Sequence, residues 1–325
     1  MSDARAAAAA IEVRRLSKRF GAVNAVDRLS FDVPIGSVTG FLGPNGAGKT
    51  TTLRMVLGLA IPSSGEARVL GEPYRALERP LSRVGAALET TGFHPGRSAR
   101  AHLEIACLEG GLDRARADAV LSLTGMGEFA DMRVRGFSLG MKQRLAFATA
   151  LLGEPTVLVL DEPANGLDPA GVAWLRGFLR RFAEGGGAVL VSSHLLSEVA
   201  EIADRVVVID RGTLVADDTV DRLVGAGGET VVVRSPDQDR LRSAVETAGG
   251  VVLGRPDGAL GVKQLSIERV GEVAGAQGLV LHELRRETAS LEDAFLALTG
   301  TPPPPGGVVP GAPPIRPDVH DEASP

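Results

Sequence analysis

The run Gly43-Pro44-Asn45-Gly46-Ala47-Gly48-Lys49-Thr50 is the most informative part of this 325-residue chain. It reads G-x-x-x-x-G-K-T and lies between a strand-like segment at 37–42 and a helix-like segment at 49–59. Backbone N–H groups of such a loop surround a phosphate, Lys49 is placed to reach the β- and γ-phosphates, and the Thr50 hydroxyl is placed to ligate Mg²⁺. The alternative is a glycine-rich turn without a ligand. It is disfavoured because the chain has only four lysines, so a chance match to the pattern G-x-x-x-x-G-K-T is rare.

A second motif is an apolar segment that ends in two carboxylates, Thr-Val-Leu-Val-Leu-Asp-Glu at 156–162. A buried parallel strand delivers such residues to the carboxyl edge of a sheet, where sheets of this kind bind ligands. Asp161 is then placed to hold the water shell of Mg²⁺, and Glu162 is a candidate general base that polarises the attacking water. Taken alone, the segment is also explained as a strand end followed by a helix cap.

A third motif, Arg-Gly-Phe-Ser-Leu-Gly-Met-Lys-Gln-Arg, occupies residues 135–144. Ser138 predicts the start of a helix that runs to about Leu152 and stops at Gly153. The free amides of that helix N-terminus make a second anion site possible. From the residues alone, an ordinary capped helix is the simpler interpretation.

Apolar runs alternate with helical patterns through the first 225 residues. Strands that are apolar on both faces and are joined by helices indicate an α/β fold with a largely parallel, covered sheet. We predict strands at 37–42, 157–160, 188–191 and 205–209, and helices at 49–59 and 169–183. Between about residues 90 and 153 the pattern is helix after helix, which predicts an all-helical insertion.

The ends of the chain differ from this body. Residues 1–10 are expected to be a flexible N-terminus, and the glycine-rich stretch 225–228 closes the body. Residues 229–300 predict a small α+β domain. Its predicted strands are 230–234, 251–253 and 279–281, and its last helix starts at a capping box of Ser290 and Asp293. Nine of the 20 prolines follow Gly300, so residues 301–325 predict a disordered tail.

Composition excludes several classes of protein. The formal charge is −5, without the basic field of a nucleic-acid binder, so no nucleic-acid partner is expected. The longest charge-free stretches, 33–48 and 294–315, are interrupted by Gly and Pro, so neither is the continuous apolar run of roughly 18 to 20 residues that a membrane span requires. Cys107 is the only cysteine, which suits a reducing cytosol, and the start has no signal pattern. The five histidines show no metal-ligand spacing.

Together the motifs follow the order and spacing of an ATP-binding cassette (ABC) ATPase, which the chain resembles over about residues 11–225. Two further motifs complete the series, Asn-Gly-Leu-Asp-Pro at 165–169 and Ser-Ser-His at 192–194. The form Phe-Ser-Leu-Gly-Met-Lys-Gln-Arg-Leu and the ending Ser-Leu-Glu-Asp-Ala-Phe-Leu-Ala-Leu-Thr-Gly resemble separate ATPase subunits of bacterial drug, antibiotic or polyketide exporters, the daunorubicin- and bacitracin-resistance type. The resemblance implies a P-loop NTPase (RecA-like) core, an antiparallel β subdomain and the inserted helical subdomain at 90–152.

The resemblance also implies ATP and Mg²⁺ as ligands and a role for each matching residue. Phe20 lies where the family stacks an aromatic ring on adenine, although a strand-end core Phe is the alternative. Glu162 and His194 match the catalytic base and the switch histidine, although a lone histidine at a strand end is more often structural. The residues expected to contact the phosphates from the loop are Gly43, Pro44, Asn45, Gly46, Ala47, Gly48, Lys49, Thr50 and Thr51.

In the family, Ser138 and Gly140 would contact ATP held by a second copy of the chain, and Asp168 would link the two sites. The active species implied is therefore a homodimer around two ATP molecules. Glu89 stands where the family carries glutamine; it would still hold Mg²⁺ or water, with added negative charge near the γ-phosphate. Leu139 and Met141 replace the commoner glycine and glutamine.

We therefore expect an ATP-hydrolysing subunit at the cytoplasmic face of the membrane. It would power efflux of a drug, antibiotic or lipid-like molecule through a separately encoded permease, received by the helical insertion. An ATP-gated dimerising module with little hydrolysis is an alternative suggested by Glu89 and Met141. A soluble cassette acting on nucleic acid is another, but such proteins carry two cassettes or a long coiled coil.

Overall fold

The computed structural model describes residues 9–88, 92–193, 199–226, 229–255, 257–288 and 291. These residues form two compact units. The first comprises the described residues up to 226 together with Thr288 and Leu291, and the second comprises the described residues of 229–287. No helix among the described residues is both long enough and apolar enough to cross a bilayer.

A six-stranded sheet forms the centre of the first unit, in the order β5-β6-β7-β3-β8-β9. All neighbours are parallel except β9, which is antiparallel to β8. The strands are β3 (Val38–Leu42), β5 (Val84–Ala87), β6 (Val157–Asp161), β7 (Ala188–Ser193), β8 (Arg205–Asp210) and β9 (Thr213–Thr219).

Both faces of this sheet are covered. In β6, Val157 and Val159 belong to one buried cluster, whereas Leu158 and Leu160 belong to another. Every residue of β3, β6 and β7 is buried, which explains why their sequences are continuous apolar runs rather than alternating ones.

One face packs against the helix that follows the phosphate loop and against an antiparallel sheet in the order β2-β1-β4. These elements are β1 (Ala9–Phe20), β2 (Val23–Pro34), α1 (Lys49–Val56) and β4 (Ser64–Val69). Helix α1 is shorter than predicted because Gly58, at φ +65°, follows its last turn.

Helices cover the other face. The described helices on that side are α2 (Ala99–Glu109), α3 (Ala115–Leu123), α4 (Leu139–Leu151), α5 (Pro169–Glu184) and α6 (Val220–Ala226). Helices α4 and α5 pack on the strands, whereas α2 and α3 pack mainly on each other and on α4. Helix α4 begins at the predicted cap, since Ser138 Oγ accepts a hydrogen bond from the Met141 N–H at 3.2 Å. The described residues between 92 and 153 form helices and short 3₁₀ turns, with one isolated β-bridge.

The second unit has the order βαββαβ, with its sheet in the order β11-β12-β10-β13, which is the split βαβ arrangement. Its elements are β10 (Glu229–Arg234), α7 (Gln238–Thr247), β11 (Val251–Gly254), β12 (Leu260–Lys263), α8 (Ile267–Ala276) and β13 (Glu283–Thr288). The two helices and the sheet share one buried cluster of valines and leucines.

The predicted strand at 279–281 is wrong. This apolar segment follows α8, where the Leu279 N–H donates to the Ala274 carbonyl at 2.9 Å, and its leucines pack against the core from a connection. The strand begins at Glu283 instead.

The predicted flexible N-terminus at 1–10 is wrong for its last two residues, since Ala9 and Ala10 belong to β1 and Ala10 is buried. Residues 1–8, the predicted capping box at Ser290 and Asp293, and the tail at 301–325 lie outside the described residues.

Candidate active site

The phosphate loop connects β3 to α1, and packing fixes glycine at both of its ends. A Cβ on Gly43 would lie 2.4 Å from the Ile209 carbonyl oxygen. Gly48 has φ +103°, and a Cβ there would lie 2.4 Å from the Ala25 carbonyl oxygen. No L side chain fits either position, so only glycine lets the loop backbone lie this close to the neighbouring carbonyl oxygens.

A cleft of about 410 Å³ opens beside this loop. Its volume is in the range of small-molecule sites. The described residues that line it are Ala25, Pro44, Asn45, Gly46, Gly48, Lys49, Thr50, Thr51, Glu162 and Asn165. The cleft thus combines the phosphate loop with the carboxyl end of β6, the two motifs that the sequence placed together.

Lys49 is the cation of the cleft. Its side chain is 7% exposed, and Nζ donates to the Gly43 carbonyl at 2.7 Å. Nζ also lies 3.4 Å from Glu162 Oε1. A buried ammonium group needs an anionic partner, and here the Glu162 carboxylate provides it. A bound phosphate is also an anion, so it would replace this carboxylate beside Lys49.

Two hydroxyls hold the Asp161 carboxylate, which is 2% exposed. Thr50 Oγ1 donates to Asp161 Oδ2 at 2.7 Å, and Ser192 Oγ donates to Asp161 Oδ1 at 2.5 Å. Thr50 therefore comes from α1, Asp161 from β6 and Ser192 from β7. Hydroxyl and carboxylate oxygens side by side are the donor set that suits Mg²⁺.

Glu162 follows β6 with φ +48°, a left-handed conformation that is rare for residues other than glycine. Its backbone N–H donates to Ser192 Oγ at 3.0 Å, and its carbonyl accepts from Gln143 Nε2 at 3.2 Å. The sharp turn directs its carboxylate toward Lys49 in the cleft.

Ser138, Gly140 and Asp168 form a second group, at the start of α4 and α5. A Cβ on Gly140 would lie 2.6 Å from the Gly166 carbonyl oxygen, so the loop before Asp168 lies directly against the start of α4. Asp168 caps α5 by accepting from the Gly171 N–H at 2.9 Å, and Arg144 Nη2 lies 3.5 Å from its Oδ1. None of the three lines the cleft of its own chain, as far as the described residues show.

The remaining predicted residues are placed as follows. Phe20 is 55% exposed, with Lys18 Nζ 5.0 Å from its ring centroid, so the alternative of a core phenylalanine is wrong. Ala47 is buried, and its N–H donates to the Pro44 carbonyl rather than into the cleft. Glu89 and His194 lie outside the described residues.

The sequence did not single out Gln143, Ser192, Asn165 or Ala25 as site residues. Gln143 and Ser192 lie inside two of the sequence motifs, at 135–144 and 192–194. Those motifs were identified by other residues, and nothing in the sequence indicates that these two side chains contact Glu162. Ala25 lies in β2, far from any motif, and only the folded chain brings it to the cleft.

Comparisons with known proteins agree with this geometry. The profile of the family described as ABC transporter matches residues 26–165, and that of a domain of unknown function, DUF8746, matches residues 229–292. The bacitracin transport ATP-binding protein BcrA of Enterococcus faecalis is 34% identical over 89% of this chain and 96% of its own length. The Nod factor export ATP-binding protein I of Paraburkholderia xenovorans is 36% identical over 90% of this chain and 97% of its own length.

Solved structures give the same result for the fold. An ATP-binding subunit of an ABC transporter has a TM-score of 0.61 at 27% identity, covering 67% of this chain and 93% of that one. A dimeric ATP-binding cassette with bound ADP and Pi has a TM-score of 0.59 at 20% identity, covering 65% of this chain and 98% of that one. The predicted P-loop NTPase fold is thereby confirmed.

The similarity to these relatives extends over nearly the whole chain. The cleft is lined by the phosphate loop and by Glu162, as expected for a protein that binds ATP. This chain belongs to the ABC transporter family, as one of its ATP-binding, ATP-hydrolysing subunits.

Proposed function

We propose that this chain drives an ABC-type exporter, hydrolysing ATP as a homodimer held at the cytoplasmic face of the membrane by a separately encoded permease. The observation that carries the proposal is that Lys49, Thr50 and Glu162 line one cleft, with Asp161 hydrogen-bonded to Thr50 directly behind it. One relative is named for bacitracin transport and another for Nod factor export, which supports a role in transport. The cargo that we propose is a drug, antibiotic or lipid-like molecule.

Mg²⁺ fits the pair formed by Thr50 and Asp161. Their oxygens are 2.7 Å apart, beside the loop that would hold the phosphates. These two residues would hold the ion, with Glu89 as a third proposed ligand. When bound, the ion would neutralise charge on the phosphate oxygens.

Hydrolysis follows from the position of Glu162. Once the γ-phosphate engages Lys49, the Glu162 carboxylate loses its ion pair and can accept a proton from water. That water attacks the γ-phosphorus in line, the bond to the ADP oxygen breaks, and Glu162 carries the proton. We assign His194 to contact the γ-phosphate and Phe20 to stack on adenine.

A second copy of the chain would complete each site. Ser138, at the N-terminus of the 13-residue helix α4, is exposed and lies outside the cleft of its own chain. A helix N-terminus stabilises anions, so it suits the γ-phosphate of a facing subunit. Gly140 and Asp168 lie on the same surface region and would join that contact.

Replacing the proposed base tests this function. Glu162→Gln keeps the shape of the side chain but cannot accept the proton, so we expect phosphate release to fall at least about 100-fold, within the range for loss of a general base, with ATP binding retained. Glu184→Gln, at the exposed end of α5, is the matched control and should hydrolyse like the wild type. Unchanged hydrolysis in Glu162→Gln would remove Glu162 from the mechanism. A wild type that binds ATP but releases no phosphate would favour the ATP-gated module instead.

A further inference from the structure

Both peptide groups of Glu162 are held by side chains from other elements. The N–H donates to Ser192 Oγ of β7 at 3.0 Å, and the carbonyl accepts from Gln143 Nε2 of α4 at 3.2 Å. Ser192 is fully buried, and Gln143 is 8% exposed. Because both side chains are shielded from water, the two bonds restrict the backbone of Glu162 on both sides.

Such restriction is needed because Glu162 has φ +48°. A non-glycine residue stays in this conformation only where its surroundings determine it. If either bond were lost, the turn after β6 could relax toward ordinary angles, and the carboxylate would move away from the cleft. The position of the proposed base therefore depends on two hydrogen bonds to its peptide groups, made by side chains that do not line the nucleotide cleft.

We propose that Gln143 and Ser192 are positioning residues that hold Glu162 in its left-handed conformation, aimed at the attacking water; we refer to this pair as the Glu162 clamp. The inference rests on the proposed function of Glu162 and extends it to two side chains outside the cleft lining.

Ser192 also connects the base to the proposed metal ligand. Its hydroxyl has one proton, which it donates to Asp161 Oδ1, so its lone pairs remain to accept from the Glu162 N–H. One hydroxyl therefore fixes the relative positions of Asp161 and Glu162.

Gln143 connects the base to the start of α4. It lies five residues after Ser138 on one continuous helix, about 7.5 Å along its axis. A displacement of Ser138 on contact with the partner's nucleotide would therefore reach the Glu162 carbonyl through a rigid element. The clamp thus couples the second-copy contact to the base of the same chain.

The test is Gln143→Met in the full chain, which keeps side-chain length but removes the donor. We expect kcat for ATP hydrolysis to fall at least about tenfold, equivalent to one step of 1.4 kcal/mol, with KM for ATP within twofold of wild type. Thr149→Ala is the control, because it removes side-chain hydrogen bonds of the same helix, to the Leu145 carbonyl and to His102, without contact to Glu162. The control should match the wild type in kcat, and its Tm measures the structural cost of such a loss.

Ser192→Ala tests the same clamp from the other side and serves if Gln143→Met does not fold. At saturating Mg²⁺ it should also lower kcat, and the double variant should lose little more than either single one, since both act on one backbone segment. A kcat of Gln143→Met or Ser192→Ala within twofold of wild type would overturn the clamp. So would effects that multiply independently in the double variant. If the wild type hydrolyses ATP and both variants do so at the same rate, the clamp is refuted and the proposed function stands. If the wild type does not hydrolyse ATP, the proposed function and the clamp are refuted together.

Discussion

At the scale of single residues, the site depends on buried polar groups that satisfy one another. Asp161 is held by two hydroxyls, and Lys49 by a carbonyl and a carboxylate. Removing one of these side chains leaves a buried polar or charged group without a hydrogen-bond partner. That loss costs more free energy of folding than the contact itself contributes. Phe20 is different, because more than half of its side chain is exposed and the fold does not need it.

Phe20→Ala should therefore affect ATP binding but not stability. Loss of base stacking costs about 1–3 kcal/mol, or roughly 5- to 150-fold in Kd, while Tm should stay within about 2 °C. Isothermal titration with ATP measures the change, and inorganic tripolyphosphate, which has no base, should bind wild type and variant equally. Equal ATP affinity in the two proteins would contradict the adenine assignment.

At the scale of elements, helix caps and loop glycines were predictable because their signals are local. The cap at Ser138, the strand at 157–161 and the phosphate loop lie close to where the sequence indicated them. The contact between Gln143 and Glu162 was not predictable, since it joins residues 19 positions apart and depends on how α4 lies beside β6. Likewise, the bond between Ser192 and Asp161 depends on β7 pairing with β6, which no local pattern shows.

Two caps with the same geometry separate stability from function. Ser98 caps α2 and Ser138 caps α4, each accepting a backbone N–H at 3.2 Å. Ser98→Ala and Ser138→Ala should each cost about 0.5–2 kcal/mol of unfolding free energy. We expect only Ser138→Ala to lower ATP turnover at saturating nucleotide, as measured by phosphate release. Similar turnover in both variants would argue against a nucleotide contact at Ser138.

The packing of α2 on α4 should make stability sensitive to acid. His102 of α2 lies 3.3 Å from Thr149 Oγ1 of α4, and burial, with Arg97 nearby, lowers the pKa of its ring. Above about pH 6.5 the ring is neutral in both states. As pH falls below that value, the unfolded chain binds a proton before the folded one does, so the free energy of unfolding decreases until the lowered pKa is passed.

His102→Gln should remove this part of the acid sensitivity. Urea unfolding at pH 7.5 and pH 5.5 should show a smaller loss of stability in the variant than in the wild type. His94→Gln is the control, since His94 is exposed and its replacement should leave the loss unchanged. An identical loss in all three proteins would show that His102 does not contribute.

At the scale of the whole molecule, the chain has two units with separate buried clusters, and only the first contains the cleft. Heat should therefore unfold two cooperative parts. Mg·ATP binds the folded first unit and should raise its transition alone, by mass action.

Two matched leucines test this division. Leu241→Ala, in the core of the second unit, and Leu179→Ala, in the core of the first, both remove a fully buried side chain and should each cost about 2–5 kcal/mol. In scanning calorimetry, Leu241→Ala should lower the transition that Mg·ATP does not raise, and Leu179→Ala the one that it does. A single transition affected equally by both variants would contradict independent units.

Sedimentation of the Glu162→Gln variant with saturating Mg·ATP addresses the ATP-closed homodimer most directly. The chain has a mass of 33.7 kDa, so we predict a species of twice that mass carrying one nucleotide per chain, and the single-chain mass when ATP is omitted. A variant that binds ATP but keeps the mass of one chain at every protein concentration tested would contradict it.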